Sequence, residues 1–172
     1  RYLSDGRRLL VTAELEEKLL VVDIPSGTIE RAIDTGHAGS HMVALTAEER
    51  WAVTANIGDG TATLIDLTGQ EKNVSVLTGR GAEGVEIRPG TNEAWVTNRS
   101  ADTVSVIDID RKKVVADFDC GIFPIRIAFT PSGSHALVSC AQSGMVAVID
   151  GETKTPVRRV EMKSASVDQL AR

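Results

Sequence analysis

Apolar positions along this chain come in short runs that alternate with polar ones, and each run ends at a turn signal. Thr103–Ile109 shows the pattern: Val104, Val106 and Ile109 alternate around Ser105, and Asp108 closes the run. A two-residue period puts one set of side chains on one face of a pleated strand. No segment between the turns sustains a 3.6-residue period, so helices are not expected. The runs also recur. Four apolar–Asp pairs, Val22-Asp23, Ile65-Asp66, Ile107-Asp108 and Ile149-Asp150, place Asp at separations of 43, 42 and 42 residues. A second ladder, Val11-Thr12, Val53-Thr54, Val96-Thr97 and Val138-Ser139, steps by 42, 43 and 42. Two ladders at one period define an internal repeat.

The third unit shows what repeats. Gly84–Ile87 reads as a first strand, Pro89-Gly90-Thr91-Asn92 as a turn, and Glu93–Asn98 as a second strand. Thr103–Ile109 is the third strand and the more polar Lys113–Asp119 the fourth, before Cys120-Gly121 leads onward. Four strands in about 42 residues is the size of one propeller blade. The expected fold is all-β: a β-propeller segment of four blades, each of four antiparallel strands. The blades fall at 2–35, 40–78, 82–120 and 124–163, with 164–172 as a tail or linker.

Val96-Thr97-Asn98 followed by Thr103-Val104-Ser105-Val106-Ile107-Asp108 resembles the YVTN-type β-propeller repeat, as do Pro124 and Thr130-Pro131-Ser132-Gly133 at a unit's opening. The resemblance spans about residues 2–163. It implies a ring of seven or eight blades, of which this chain supplies about half. Aligning units places Tyr2 on Phe129, so the first blade is expected to lack most of its innermost strand. Two departures stand out. Thr46-Ala47-Glu48-Glu49-Arg50 replaces the glycine turn in the second unit, and Cys140 stands where the motif has Asn.

Composition changes this picture little. Aromatics are scarce, and Val, Ile, Thr and Ala supply the apolar content that suits strands. Acidic residues outnumber basic ones 24 to 19, for a net charge of −5. The largest basic cluster is Arg111-Lys112-Lys113, and there is no aromatic platform, so nucleic acid is not an expected partner. No stretch approaches the roughly 20 apolar residues of a membrane-spanning helix.

A residue present in every unit serves what every unit needs. Asp23, Asp66, Asp108 and Asp150 each precede a turn, where a carboxylate accepts backbone N–H bonds. The row Thr12, Thr54, Thr97 and Ser139 reads likewise as structural, and Asn56 and Asn98 as turn-makers. Trp51 and Trp95, one position out of step, are expected to pack between blades on opposite sheet surfaces. Residues unique to one unit carry more information. They are sought on the face bearing the loops 36–40, 79–83 and 120–123, and the second-to-third-strand loops.

Candidate ligand-binding residues on that channel face are His37, His41, Arg80, Glu83 and Arg126. His37 and His41, with Glu83 one unit later at the position of His41, form a candidate metal or haem-iron set. The alternative is that His37 is solvated and His41 replaces the usual proline. Arg126 either points into the channel towards an anion or pairs with Glu86, and pairing is the favoured expectation. Cys120 and Cys140 should reach the same face, as a disulfide pair or as two reduced thiols.

No Ser-His-Asp set, carboxylate pair or metal motif recurs at a defined spacing. The function expected is a non-catalytic scaffold that binds a protein or small-molecule ligand, with no cofactor. The resemblance implies a periplasmic or cell-surface location. The alternative it offers is a haem- or quinone-linked redox propeller, or a lactonase-type one, with a site in the central channel.

Overall fold

In a computed structural model, which describes residues 1–162, each period of the alternation becomes one antiparallel meander. Blade 1 comprises β1 (Arg8–Ala13), β2 (Lys18–Asp23) and β3 (Thr28–Asp34). Blade 2 runs β4 (Ser40–Leu45), β5 (Trp51–Asn56), β6 (Thr61–Asp66) and β7 (Val74–Leu77). Blade 3 runs β8 (Ala82–Ile87), β9 (Glu93–Asn98), β10 (Thr103–Asp108) and β11 (Lys113–Asp119). Blade 4 runs β12 (Pro124–Phe129), β13 (His135–Cys140), β14 (Met145–Asp150) and β15 (Pro156–Glu161). The segment 164–172 lies outside the described residues.

Blade 1 has three strands here, with one isolated bridge beside β1. Tyr2 bridges Leu9 just as Phe129 pairs with Ala136 in blade 4. One short 3₁₀ turn, Glu14–Glu16, interrupts the all-strand pattern. It is held by a single backbone bond from Glu17 N–H to the Glu14 carbonyl, and Glu17 ends it in the left-handed region. Too brief to carry a helical period, it left no mark in the sequence pattern.

Two faces of each inner sheet are apolar, and neither can stay wet. Between blades 1 and 2, Leu10, Leu19 and Val21 meet Ala52 and Ile65. Between blades 2 and 3, Trp51, Val53 and Leu64 meet Val85, Val96 and Ile107. Between blades 3 and 4, Trp95, Val104 and Val106 meet Ile127, Val138 and Ile149. Trp95 is wholly buried, with the rings of Phe118 and Phe129 edge-on at 5.5 and 5.1 Å. Each such side chain withdrawn from water contributes about 1.5–3 kcal/mol before ordering costs. On the far face of blade 4, Leu137, Val157 and Val160 remain exposed.

Strand register corrects two expectations. Trp51 pairs with Asp66 and Glu93 with Asp108, so Trp51 is the counterpart of Glu93, and Val53 that of Trp95. The Val53-Thr54 rung is therefore one residue out of line, and Ala55, not Thr54, occupies the position of Thr97. The two tryptophans lie two residues apart in the strand frame. Both face the following blade, in successive apolar layers, rather than opposite surfaces. The ladder misled because a Val-Thr pair happens to sit one step early in blade 2.

The repeated aspartates do cap turns. Asp66 accepts from Thr68 N–H at 2.9 Å, its hydroxyl at 2.6 Å and Glu71 N–H at 2.9 Å. Asp150 accepts from Glu152 and Thr153 N–H at 2.9 and 2.8 Å. Asp23 holds the Arg7 guanidinium and Ser26. In the second unit, Glu49 adopts φ 57° in the turn that other units build with glycine, such as Gly133 at φ 70°.

Hydrogen bonds hold three of these carboxyls below the usual carboxylate range: from Arg7 for Asp23, Thr68 for Asp66 and Thr153 for Asp150. A depressed folded-state value stabilises the fold above the unfolded pKa, about 3.9, and that contribution is lost as pH falls through the folded values. The denaturation midpoint should hold steady down to about pH 5 and fall below about pH 4, and Asp66→Asn should flatten that acid limb. A midpoint indifferent to acid across this window would refute the assignment.

Candidate functional site

The innermost strands of blades 2, 3 and 4 share an irregularity near their first residues. Register slips between Ser40 and Met42 in β4, Ala82 and Val85 in β8, and Pro124 and Arg126 in β12. A bulge of this kind re-aims the side chains beside it. Here those side chains are His41, Glu83 and Arg126, and the result is a ribbon of ionisable side chains with one residue from every blade. Glu14 of blade 1 bonds His41 Nδ1 of blade 2. His41 Nε2 lies 3.9 Å from Glu83 Oε1 of blade 3. Glu83 Oε1 accepts from Arg126 of blade 4 at 2.9 Å, and its Oε2 accepts from Arg99 at 2.8 Å.

Glu83 is the centre of this ribbon and is only 6% exposed. A buried carboxylate needs partners, and two guanidiniums satisfy both of its oxygens. Arg99 in turn lies over the Phe123 ring, 5.6 Å from its centroid. The Arg126 side chain is half exposed, so donors beyond the pair remain open to solvent. Beside the ribbon, an open cleft of ≈ 650 Å³ runs along β1, lined among others by Arg1, Thr12, His41, Met42 and Glu86.

Of the residues singled out from sequence, the structure unites His41, Glu83 and Arg126. His37 goes elsewhere: its Nδ1 lies 2.8 Å from Asp59 Oδ2, which also accepts Ala38 N–H and ties two loops together. The two histidines thus serve different carboxylates. Among the described residues no group of three His, Cys, Asp or Glu is arranged to hold a metal. Arg80 is exposed on the loop beside Arg99, where its carbonyl accepts Ser100 N–H at 3.1 Å. Arg126 pairs with Glu83, not Glu86, which is bound by Arg1. Nor does His41 stand in the proline position, since Ser40 and Pro124 hold equivalent places at the head of their strands. Glu14 and Arg99 were missed as single residues, although both fall in loops assigned to this face.

Asn56 and Asn98 do more than make turns. The Asn56 amide donates to Thr61 and Thr63, while its Oδ1 accepts from Ser40 at 2.8 Å and Thr54 at 3.1 Å. Ser40 Oγ also lies 2.7 Å from Thr35 Oγ1, so this polar knot stitches blade 1 to blade 2. At the next junction Asn98 keeps both donated bonds, to Thr103 and Ser105. Ala82 and Val96 replace Ser40 and Thr54 there, and Asn98 Oδ1 is left buried without a partner. At the third junction Cys140 takes the place of Asn98 and Cys120 that of Thr35, and both are free, buried thiols.

Two outcomes follow from this geometry. Gly84 has no room for a side chain: a Cβ would stand 2.6 Å from the Ile125 carbonyl and 2.7 Å from Thr97 Oγ1. Gly84→Ala should therefore push blades 3 and 4 apart and cost about 1–3 kcal/mol in chemical denaturation. Ala82→Ser supplies the missing donor to Asn98 Oδ1 and should stabilise by about 1 kcal/mol in the same assay. A neutral result at both positions would contradict the packing described.

A family model described as YNCE-like beta-propeller matches residues 16–168. The chain is 28% identical over 145 residues to "Uncharacterized protein YncE" of Salmonella typhimurium (strain LT2) and, to the same extent, of Salmonella typhi. In each case the match covers 81% of this chain but 40% of the relative, so the chain spans less than half the length of these proteins. Among solved structures, Kuenenia stuttgartiensis hydrazine synthase superimposes with a TM-score of 0.81 at 18% identity, covering 91% of this chain and 46% of that one. Dihydro-heme d1 dehydrogenase NirN in complex with DHE gives 0.74 at 20% identity, covering 96% and 38%. At these identities the likeness to solved structures establishes the fold alone.

Proposed function

The chain belongs to the YNCE-like beta-propeller family, and from that premise we propose that it is a non-catalytic, extracytoplasmic binding segment whose channel mouth takes an anionic partner. The observation that carries this reading is the fixed pair of guanidiniums on Glu83. Glu83 and Phe123 hold Arg99 in place, and Glu83 with the Ile125 carbonyl holds Arg126. Arginine presents a planar fork of donors suited to carboxylate or phosphate, and prior anchoring lowers the ordering cost of binding. Arg80, exposed on the adjoining loop, adds charge of the same sign.

The ribbon offers no nucleophile hydrogen-bonded to a base, which favours binding over turnover. A haem or metal at this mouth draws less support, because both ring nitrogens of His41 already face carboxylates. The location outside the cytoplasm rests on the YVTN-type resemblance.

The test uses the full-length protein. Elemental analysis and an absorption spectrum on one sample should show no stoichiometric metal and no cofactor band. Thermal shift against citrate and an acidic peptide should then show stabilisation that Arg99→Ala and Arg126→Ala abolish. A stoichiometric metal or a coloured band lost in His41→Ala would overturn the proposal in favour of a redox site.

A further inference from the structure

The blade junctions repeat one geometric relation. Each junction sets two frame positions side by side: the residue following a blade's outermost strand and the last residue of the next blade's second strand. At the first junction these are Thr35 and Asn56, linked through Ser40 Oγ. At the second they are Thr78 and Asn98, and at the third Cys120 and Cys140. Thr35, Thr78 and Cys120 are matched by the same backbone bond, each N–H reaching the carbonyl of the loop residue before the third strand: Glu17, Gly60 and Asp102. The chain has two cysteines in 172 residues, and both fall on this one pair of positions.

We propose that Cys120 and Cys140 form a reversible disulfide that clasps blade 3 to blade 4, a covalent counterpart of the polar knot at the first junction. The two residues are in direct contact. Cys140 Sγ lies 3.4 Å from the Cys120 carbonyl oxygen, and both side chains are buried and unbonded to other residues' sulfur. Gly121, at φ 129°, presses the chain down onto the pair: a Cβ there would stand 3.0 Å from Cys140 Sγ and 2.3 Å from the Met145 methyl.

Exchange with a low-molecular-weight disulfide supplies the oxidant. Cys140 attacks as the thiolate, giving up the proton that its thiol directs at the Cys120 carbonyl. The Cys140 sulfur bonds one sulfur of the oxidant and expels the other as a thiolate, which takes a proton. Cys120 then gives up its proton and attacks Cys140 Sγ, breaking the mixed disulfide and releasing the second thiol. Two protein thiols and one disulfide become one protein disulfide and two small thiols. Access requires the loop 121–123 to lift, which breaks the bonds from Ile122 N–H to Ser143 Oγ at 3.1 Å, from Phe123 N–H to Asp102 Oδ1 at 2.9 Å and from Ala141 N–H to the Phe123 carbonyl at 2.9 Å. Half-exposed Ile122 marks the point of entry.

The full-length protein is equilibrated with oxidised glutathione, quenched with iodoacetamide and digested without reduction. A cross-linked peptide joining Cys120 to Cys140 is expected, together with a rise in thermal midpoint of about 5 °C or more that dithiothreitol reverses. Cys120→Ser/Cys140→Ser should melt at one temperature in both conditions. Recovery of Cys120 and Cys140 only as alkylated thiols, or as separate glutathione adducts, would overturn the proposal without reliance on any variant's stability.

Discussion

Face-to-face burial of neighbouring sheets is the constraint on which everything else here depends. A twisted sheet with apolar residues on both faces cannot persist alone in water, and each blade covers one face of the next. Three layers result, and the second and third are anchored by Trp51 and Trp95. Because both rings point the same way around the array, the stacking has a direction. Each tryptophan points forward to the next blade, whose receiving face carries Ala94 or Ala136 at the position that Ala52 holds in blade 2.

Stacking also brings the inner strands close enough for chemistry at their ends. The bulge near the start of β4, β8 and β12 aims one ionisable residue along their shared edge, and the contact between Gly84 and the Ile125 carbonyl sets how near blades 3 and 4 stand. Glu83 reaches Arg126 across that gap while Arg99 approaches within its own blade. The ribbon Glu14–His41–Glu83–Arg126 is thus a property of four blades in register, and no single blade contains it.

The junctions show how a repeat diverges without losing its frame. One geometry hosts a satisfied hydroxyl–amide knot, then an amide with an orphaned oxygen, then a dithiol. The backbone relation survives all three because it is set by strand ends and turns. The side chains that fill it are free to change, and they differentiate junctions that are otherwise equivalent.

The repeat, its four-strand content and the turn aspartates were legible in the sequence, because pleating and turn chemistry are local and act at fixed spacing. Tyr2 fell on Phe129 as aligned, and strands 93–98 and 113–119 matched to the residue. Single-residue register was less secure: the Val53-Thr54 pair mimicked the ladder and turned the relation between Trp51 and Trp95 the wrong way. His41, Glu83 and Arg126 could be named as candidates from their position in the unit. Their partners could not, since Glu14, Arg99 and Asp59 reach them across loops and blades at separations no period encodes. Side-chain pairing between blades depends on the distance and twist of stacked sheets, and only the tertiary structure decides those.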